Sequence, residues 1–336
     1  MSFASGYLLV NIVLFAFGVF ILVKGSDWFV DAAAALARSF GLPELVIGLT
    51  LVSIGTSLPE LASSLCASFY GQSNFIIGNI VGSNTANIAL ILGAGLVLGG
   101  AIGFSRKVVW RDMVMLLALG IGLMAWYYFG FDVPAGIKQG VGRFGGIILL
   151  IICGIYSWSL SRGERSEESD GAAESGDSEN TAAPEMCRAR AFGMIVISLI
   201  MITAGAKLMV DTVVWSAVRL GVSSLMISLT VVAIGTSLPE LAVTVSGVLK
   251  KRDDIALGNI IGSGIYNIVL IIGCCATVAP LTGDGKNGLL SMIIMNAVAL
   301  VLWFFMMAGR KLYRWQGWVF LLLYVAFVIW SACFVK

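Results

Sequence analysis

Two segments of this chain, a constant 180 residues apart, carry nearly the same peptide. IGLTLVSIGTSLPE at 47–60 aligns with ISLTVVAIGTSLPE at 227–240, and GNIVGSNTANI at 78–88 aligns with GNIIGSGIYNI at 258–268. Agreement at that density identifies a duplicated unit. The unit is apolar: 59% of the 336 residues are hydrophobic and 12% are charged, more apolar surface than one water-soluble core can bury. Stretches long enough to cross a bilayer, about 20 helical residues each, recur near 6–24, 40–69, 74–100, 107–128, 142–161, 191–211, 222–250, 254–280, 288–308 and 313–335. The chain is therefore expected to be an all-α polytopic membrane protein of ten transmembrane helices, five per copy. An odd number of spans per copy makes the second enter the membrane from the opposite side. Two inverted five-helix repeats are the expected architecture, one that secondary transporters use to place a substrate site between repeats.

Charge sets the expected orientation. Fifteen of the 21 Lys and Arg residues fall after spans one, three, five, seven and nine, among them Lys24, Arg38, Arg106, Arg188, Lys250 and Arg310. The positive-inside rule puts those loops in the cytoplasm and both termini outside. The first apolar stretch has no basic region before it and is followed by more spans, so it is read as a retained helix. Residues 161–190 hold eight of the 19 acidic residues and no apolar run, the composition of a disordered cytoplasmic linker. The halves are thus 1–160, with one repeat at about 40–100, and 191–336, with the other at about 220–280.

Composition narrows the chemistry. The net charge of +2 gives no case for a nucleic-acid partner. The absence of His removes imidazole ligands and imidazole acid–base catalysis. The six cysteines form no CxxC pair and read as apolar fillers. Without a nucleophile, a matching base or an acid cluster, an enzyme is not expected. No organic cofactor or obligatory protein partner is called for. The partners implied are the lipid bilayer and small inorganic cations.

The cations follow from an audit of the acids. Eight lie in the linker and nine near span ends or turns, which leaves Glu60 and Glu240 in mid-membrane. Burying an ionisable group there costs about 2.5–3.5 kcal/mol even on a lenient scale. With no Lys or Arg expected at that depth, the charge must be balanced by metal ions or protons. Pro59 and Pro239 break each helix and should release carbonyls one turn earlier, with Ser53 and Ala233 the nearest. Hydroxyls of Thr56, Ser57, Thr236 and Ser237 lie beside them, and Ser83 with Asn87 and Ser263 with Asn267 share helix faces on the next spans. All are hard oxygen donors, suited to Ca2+ and Na+. Two fixed charges balance one Ca2+, two Na+ or two protons, so one cargo displaces another. A passive channel could use the same oxygens, but charge-balancing sites between inverted repeats favour alternating access.

GTSLPEL followed by GN(I/V)(V/I)GS, present twice, resembles the calcium/cation antiporter superfamily and in particular its bacterial sodium/calcium exchanger-like branch. The resemblance implies a fold in which spans two, three, seven and eight form the core and long, tilted spans one and six slide across it. It implies ion coordination by Thr56, Ser57, Glu60, Ser83, Asn87, Thr236, Ser237, Glu240 and Ser263, with carbonyls of Ser53 and Ala233. It also implies residence in a bacterial inner membrane. Two departures stand out: Asn267 sits where some relatives carry an acid, and Gly264 sits where the first repeat has Asn84. Na+-driven Ca2+ exchange is the leading expectation. Ca2+/H+ exchange, two glutamates carrying two protons, and K+-dependent Na+/Ca2+ exchange are the alternatives.

Overall fold

The computed structural model describes residues 8–133, 139–163, 187–219, 233–282 and 286–334. Residues 164–186 of the expected linker and 222–232 of the expected seventh span lie outside them. The elements are α1 (Leu8–Phe40), the broken pair α2 (Glu44–Thr56) and α3 (Leu58–Phe69), α4 (Ser73–Gly99), α5 (Val108–Phe129), α6 (Arg143–Gly163), α7 (Arg188–Arg219), α8 (Ala233–Thr236), α9 (Leu238–Leu249), α10 (Asp253–Val278), α11 (Lys286–Met307) and α12 (Arg314–Phe334). Among the described residues eight helices are long and apolar enough to cross a membrane, and the pair α2–α3, bent by 47°, makes a ninth span. α8 and α9 form the described part of the expected seventh.

Two expected boundaries are too short. Span one does not stop at Lys24 but continues to Phe40, and span six continues past 211 to Arg219. Lys24, expected in a loop, is on the helix, as are Asp27 and Asp31. The run AAAALA at 32–37 favours continuation. The helix stops at Gly41, whose φ of 61° is open to glycine. There Leu42 N–H bonds the Ala37 carbonyl at 2.9 Å and Gly41 N–H bonds that of Arg38 at 3.1 Å, a Schellman cap. Helices of 33 and 32 residues span about 50 Å, against a hydrocarbon thickness of about 30 Å, so α1 and α7 must tilt or protrude. They pack against each other at Gly18 and Gly205, where a Cβ on Gly205 would lie 2.7 Å from the Gly18 carbonyl.

Two small sheets clip the ends of the bundle. β1 (Ile102–Gly103) pairs with β4 (Lys311–Leu312), and β2 (Gly140–Val141) with β3 (Leu281–Thr282), both antiparallel. Asp253, at the start of α10, accepts the Gly103 N–H at 2.8 Å, whereas β3 follows the end of α10. The sheets therefore lie at opposite ends of that helix. Each joins two loops expected on the same side of the membrane.

The inversion is directly visible. Glu44, which opens α2, pairs with Arg252, just beyond α9, at 2.6 Å. One broken helix starts where the other finishes. At the same end Lys250 bonds Asp31 at 2.8 Å and the Asp27 carbonyl at 2.7 Å, tying α1 to the end of α9. Burial follows the implied core: of the most apolar 18 residues of each helix, 94% are buried in α10 and 78% in α4, against 22% in α1 and 17% in α12.

Candidate cation-binding site

Each GTSLPE motif makes one helix end and another begin. Ser57 (φ −84°, ψ 6°) and Ser237 (φ −91°, ψ 6°) take the same non-helical conformation between segments. Pro59 and Pro239 then fall in the first turn of α3 and α9, where a missing N–H costs nothing. Glu60 and Glu240 stand in those first turns, within the positive end of a helix dipole. The break thus does two jobs: it interrupts the span and supplies partial positive charge to a buried carboxyl.

The two carboxyls are held from across the repeat boundary. Ser57 Oγ donates to Glu240 Oε1 at 3.0 Å, and Ser237 Oγ donates to Glu60 Oε1 at 3.4 Å. The Thr56 hydroxyl lies beside Glu240 and that of Thr236 beside Glu60. Both glutamates are 1% exposed, and Oε2 of each is buried without a hydrogen-bond partner. Among the described residues no Lys or Arg pairs with either. Two carboxyls in one apolar interior, each with an oxygen to spare, have the chemistry that would suit hard cations.

The partner helices contribute more oxygen. Ser83, Asn87, Ser263 and Asn267 are buried on α4 and α10. Oδ1 of both Asn87 and Asn267 lacks a hydrogen-bond partner, and Ser263 Oγ donates to the Ser53 carbonyl at 3.5 Å. In both copies a π-helical turn begins at this asparagine, Asn87–Leu92 and Asn267–Ile272, a local widening of the helix that recurs at functional sites. The motif spacing did not announce it.

One expectation needs correcting in its chemistry. The Ser53 carbonyl is not released by Pro59: it accepts the Ser57 N–H at 3.1 Å. Counting four residues back from Pro59, the carbonyl that loses its helical donor is that of Gly55. Ala233 opens α8 at the position equivalent to Ser53.

Sequence reasoning passed over Asn79 and Asn259, the asparagines of the repeated GN pairs. Asn259 Oδ1 accepts from Thr56 Oγ1 at 3.0 Å, while its Nδ2 donates to Thr244 Oγ1 at 3.0 Å and the Glu240 carbonyl at 3.3 Å. Asn79 Nδ2 donates to Ser64 Oγ at 3.0 Å. Ser64 and Thr244 are also 180 residues apart, so the duplication did mark these pairs. Close approach of α10 to α2 depends on Gly258 and Gly262. A Cβ on Gly262 would lie 2.1 Å from Ser53 Oγ and 2.7 Å from the Leu49 carbonyl.

This site lies between inverted repeats of a fold found in known proteins. The sequence model of the sodium/calcium exchanger protein family matches residues 10–161 and 190–332. The chain belongs to the sodium/calcium exchanger family. It is 37% identical to "Sodium/calcium exchanger MaX1" of Methanosarcina acetivorans, covering 95% of this chain and 98% of that one. It is 35% identical to "Inner membrane protein YrbG" of Escherichia coli, over 94% of each. A solved structure of the sodium–calcium exchanger NCX_Mj, soaked with zero Na+ and Ca2+, superposes with a TM-score of 0.80 at 30% identity, covering 98% of this chain and 100% of that one. Membership in the exchanger family places the protein among transporters and not enzymes, in the calcium/cation antiporter superfamily.

Proposed function

We propose that this exchanger carries Na+ and Ca2+ in opposite directions through one mid-membrane site. Glu60 and Glu240 supply its fixed charge. Thr56, Ser57, Ser83, Asn87, Thr236, Ser237, Ser263 and Asn267, with carbonyls at Ser53 and Ala233, supply neutral oxygen. The observation that carries the reading is the reciprocal pair of bonds from Ser57 to Glu240 and from Ser237 to Glu60, which leaves Oε2 of each carboxyl without a protein partner. One Ca2+ or two Na+ cancel the two charges, so either cargo stabilises the site only when the other has left. The tight pair α1–α7 then moves against the core formed by α2–α4 and α8–α10, exposing the site to each side in turn.

In this reading the protein lies in a bacterial inner (plasma) membrane, with both termini outside and 161–190 in the cytoplasm. Support comes from the grouping of basic residues beside the β1–β4 sheet, including Arg106, Lys107, Arg310, Lys311 and Arg314. A relative bearing an inner-membrane name agrees with this placement.

The test is radiolabelled Ca2+ uptake into liposomes holding the purified protein, driven by an outward Na+ gradient beside matched K+ and pH gradients. Uptake driven by sodium alone, and lost in the double variant Glu60→Gln, Glu240→Gln, supports Na+/Ca2+ exchange. Uptake driven by the pH gradient alone replaces it with Ca2+/H+ exchange. A requirement for K+ with Na+ makes the exchange potassium-dependent. Flux that survives the double variant overturns the site.

A further inference from the structure

The repeats differ where α4 meets α10. Asn84, 3% exposed, reaches across the repeat boundary and donates Nδ2 to the Gly264 carbonyl at 3.1 Å. A carbonyl oxygen can only accept, so this bond fixes which end of the Asn84 amide faces which way. The remaining Asn84 Oδ1 can also only accept, and it takes Asn267 Nδ2 at 2.9 Å. Asn267 is thereby oriented in turn: its NH2 is committed, and its Oδ1 is the atom left buried without a partner. Asn267 lies one turn beyond Ser263, whose hydroxyl meets the Ser53 carbonyl, so this face of α10 is turned to the broken helix.

The mirror arrangement does not exist. An equivalent partner for Asn87 would be the side chain of residue 264, and glycine has none. A Cβ on Gly264 would come within 3.0 Å of Leu116 Cδ1.

We propose that Asn84 is a positioning residue that holds the Asn267 amide with its oxygen, and not its NH2, presented to the transported cation. An amide can present a donor or an acceptor, and only the acceptor binds a cation. The inference rests on the exchange reading above, because it assumes that Asn267 faces cargo. It makes the second-repeat half of the site preorganised in a way the first-repeat half is not.

A double-variant cycle tests it, read as equilibrium binding of radiolabelled Ca2+ to the purified full chain, with a thermal melt of each variant to confirm folding. Asn84→Ala and Asn267→Ala should each weaken Ca2+ binding about 2- to 10-fold, the effect of one neutral hydrogen bond. The double variant should bind no more weakly than Asn267→Ala alone, because Asn84 acts only through Asn267. If Asn84→Ala does not fold, Asn84→Ser, too short to bridge Asn267 and Gly264, carries the same expectation. Multiplying losses, or unchanged affinity in Asn84→Ala, overturn the positioning role while leaving exchange intact. Wild-type protein that binds no Ca2+ overturns both.

Discussion

Ser57 donates to Glu240 at 3.0 Å, whereas its symmetry mate Ser237 reaches Glu60 only at 3.4 Å. The two halves of the site share the GTSLPE motif but are unequal in hydrogen bonding. A shorter, charge-assisted bond orders its carboxyl more firmly.

Removing the better bond should cost more. Ser57→Ala is expected to raise the Ca2+ concentration for half-maximal exchange about 3- to 10-fold, and Ser237→Ala about 2-fold, from the range for single hydrogen bonds. Ca2+ titration of Na+-driven uptake checks the order. Equal effects would show that the inequality does not matter to transport.

Gly262→Ala should be poorly tolerated. The new methyl would meet Ser53 Oγ and the Leu49 backbone, so α10 would have to withdraw from α2. Overpacking of this kind costs about 1–3 kcal/mol, and here it also pulls Ser263 from the Ser53 carbonyl. A lower melting temperature with loss of exchange is expected. An unchanged melt would show that the helices have room to separate.

Asp132 lies in the loop between α5 and α6. Burial pushes its carboxyl up, but the N–H groups of Gly145 (2.7 Å) and Gly142 (2.8 Å) and the Trp126 indole (2.9 Å) outweigh this and hold it below the usual range. A carboxyl whose pKa is lowered on folding stabilises the protein above its unfolded value, about 3.9. That contribution fades as pH falls through the lower folded value. Asp132→Asn should therefore melt below the wild type at pH 7, with the gap closing under about pH 4. A gap that is constant with pH would show that charge is not its source.

Lys251 adopts φ 59°, and the equivalent position in the first repeat is Gly71 at φ 67°. A left-handed lysine costs about 1–2 kcal/mol relative to a compatible backbone. The bond its side chain makes, Nζ to the Gly99 carbonyl at 3.3 Å, is exposed. Lys251→Gly should raise stability by up to about 1 kcal/mol, after the greater chain entropy of glycine is subtracted. A thermal melt that falls would locate unrecognised support in the lysine side chain.

Much of this protein is legible without coordinates because its information is local or repeated. Apolar runs measure bilayer crossings, and an odd number of spans per copy dictates inversion. Glu60 and Glu240 stand out because so few acids lie within the spans. The 180-residue offset also marked Asn79 and Asn259, although nothing in their spacing showed what they would bond.

What the sequence by itself determined is the membrane class, the inverted duplication and the oxygen-rich inventory, since each follows from composition and period. The tertiary structure decided which oxygens are taken and which are spare. The Ser53 carbonyl keeps its helical donor, Oε2 of each glutamate has no protein partner, and Asn84 reaches Gly264 across 180 residues of chain. Those outcomes depend on how closely α10 crosses α2 and α4. A hydrogen bond is decided over a few tenths of an ångström by backbone packing, a distance that neither motif spacing nor composition encodes.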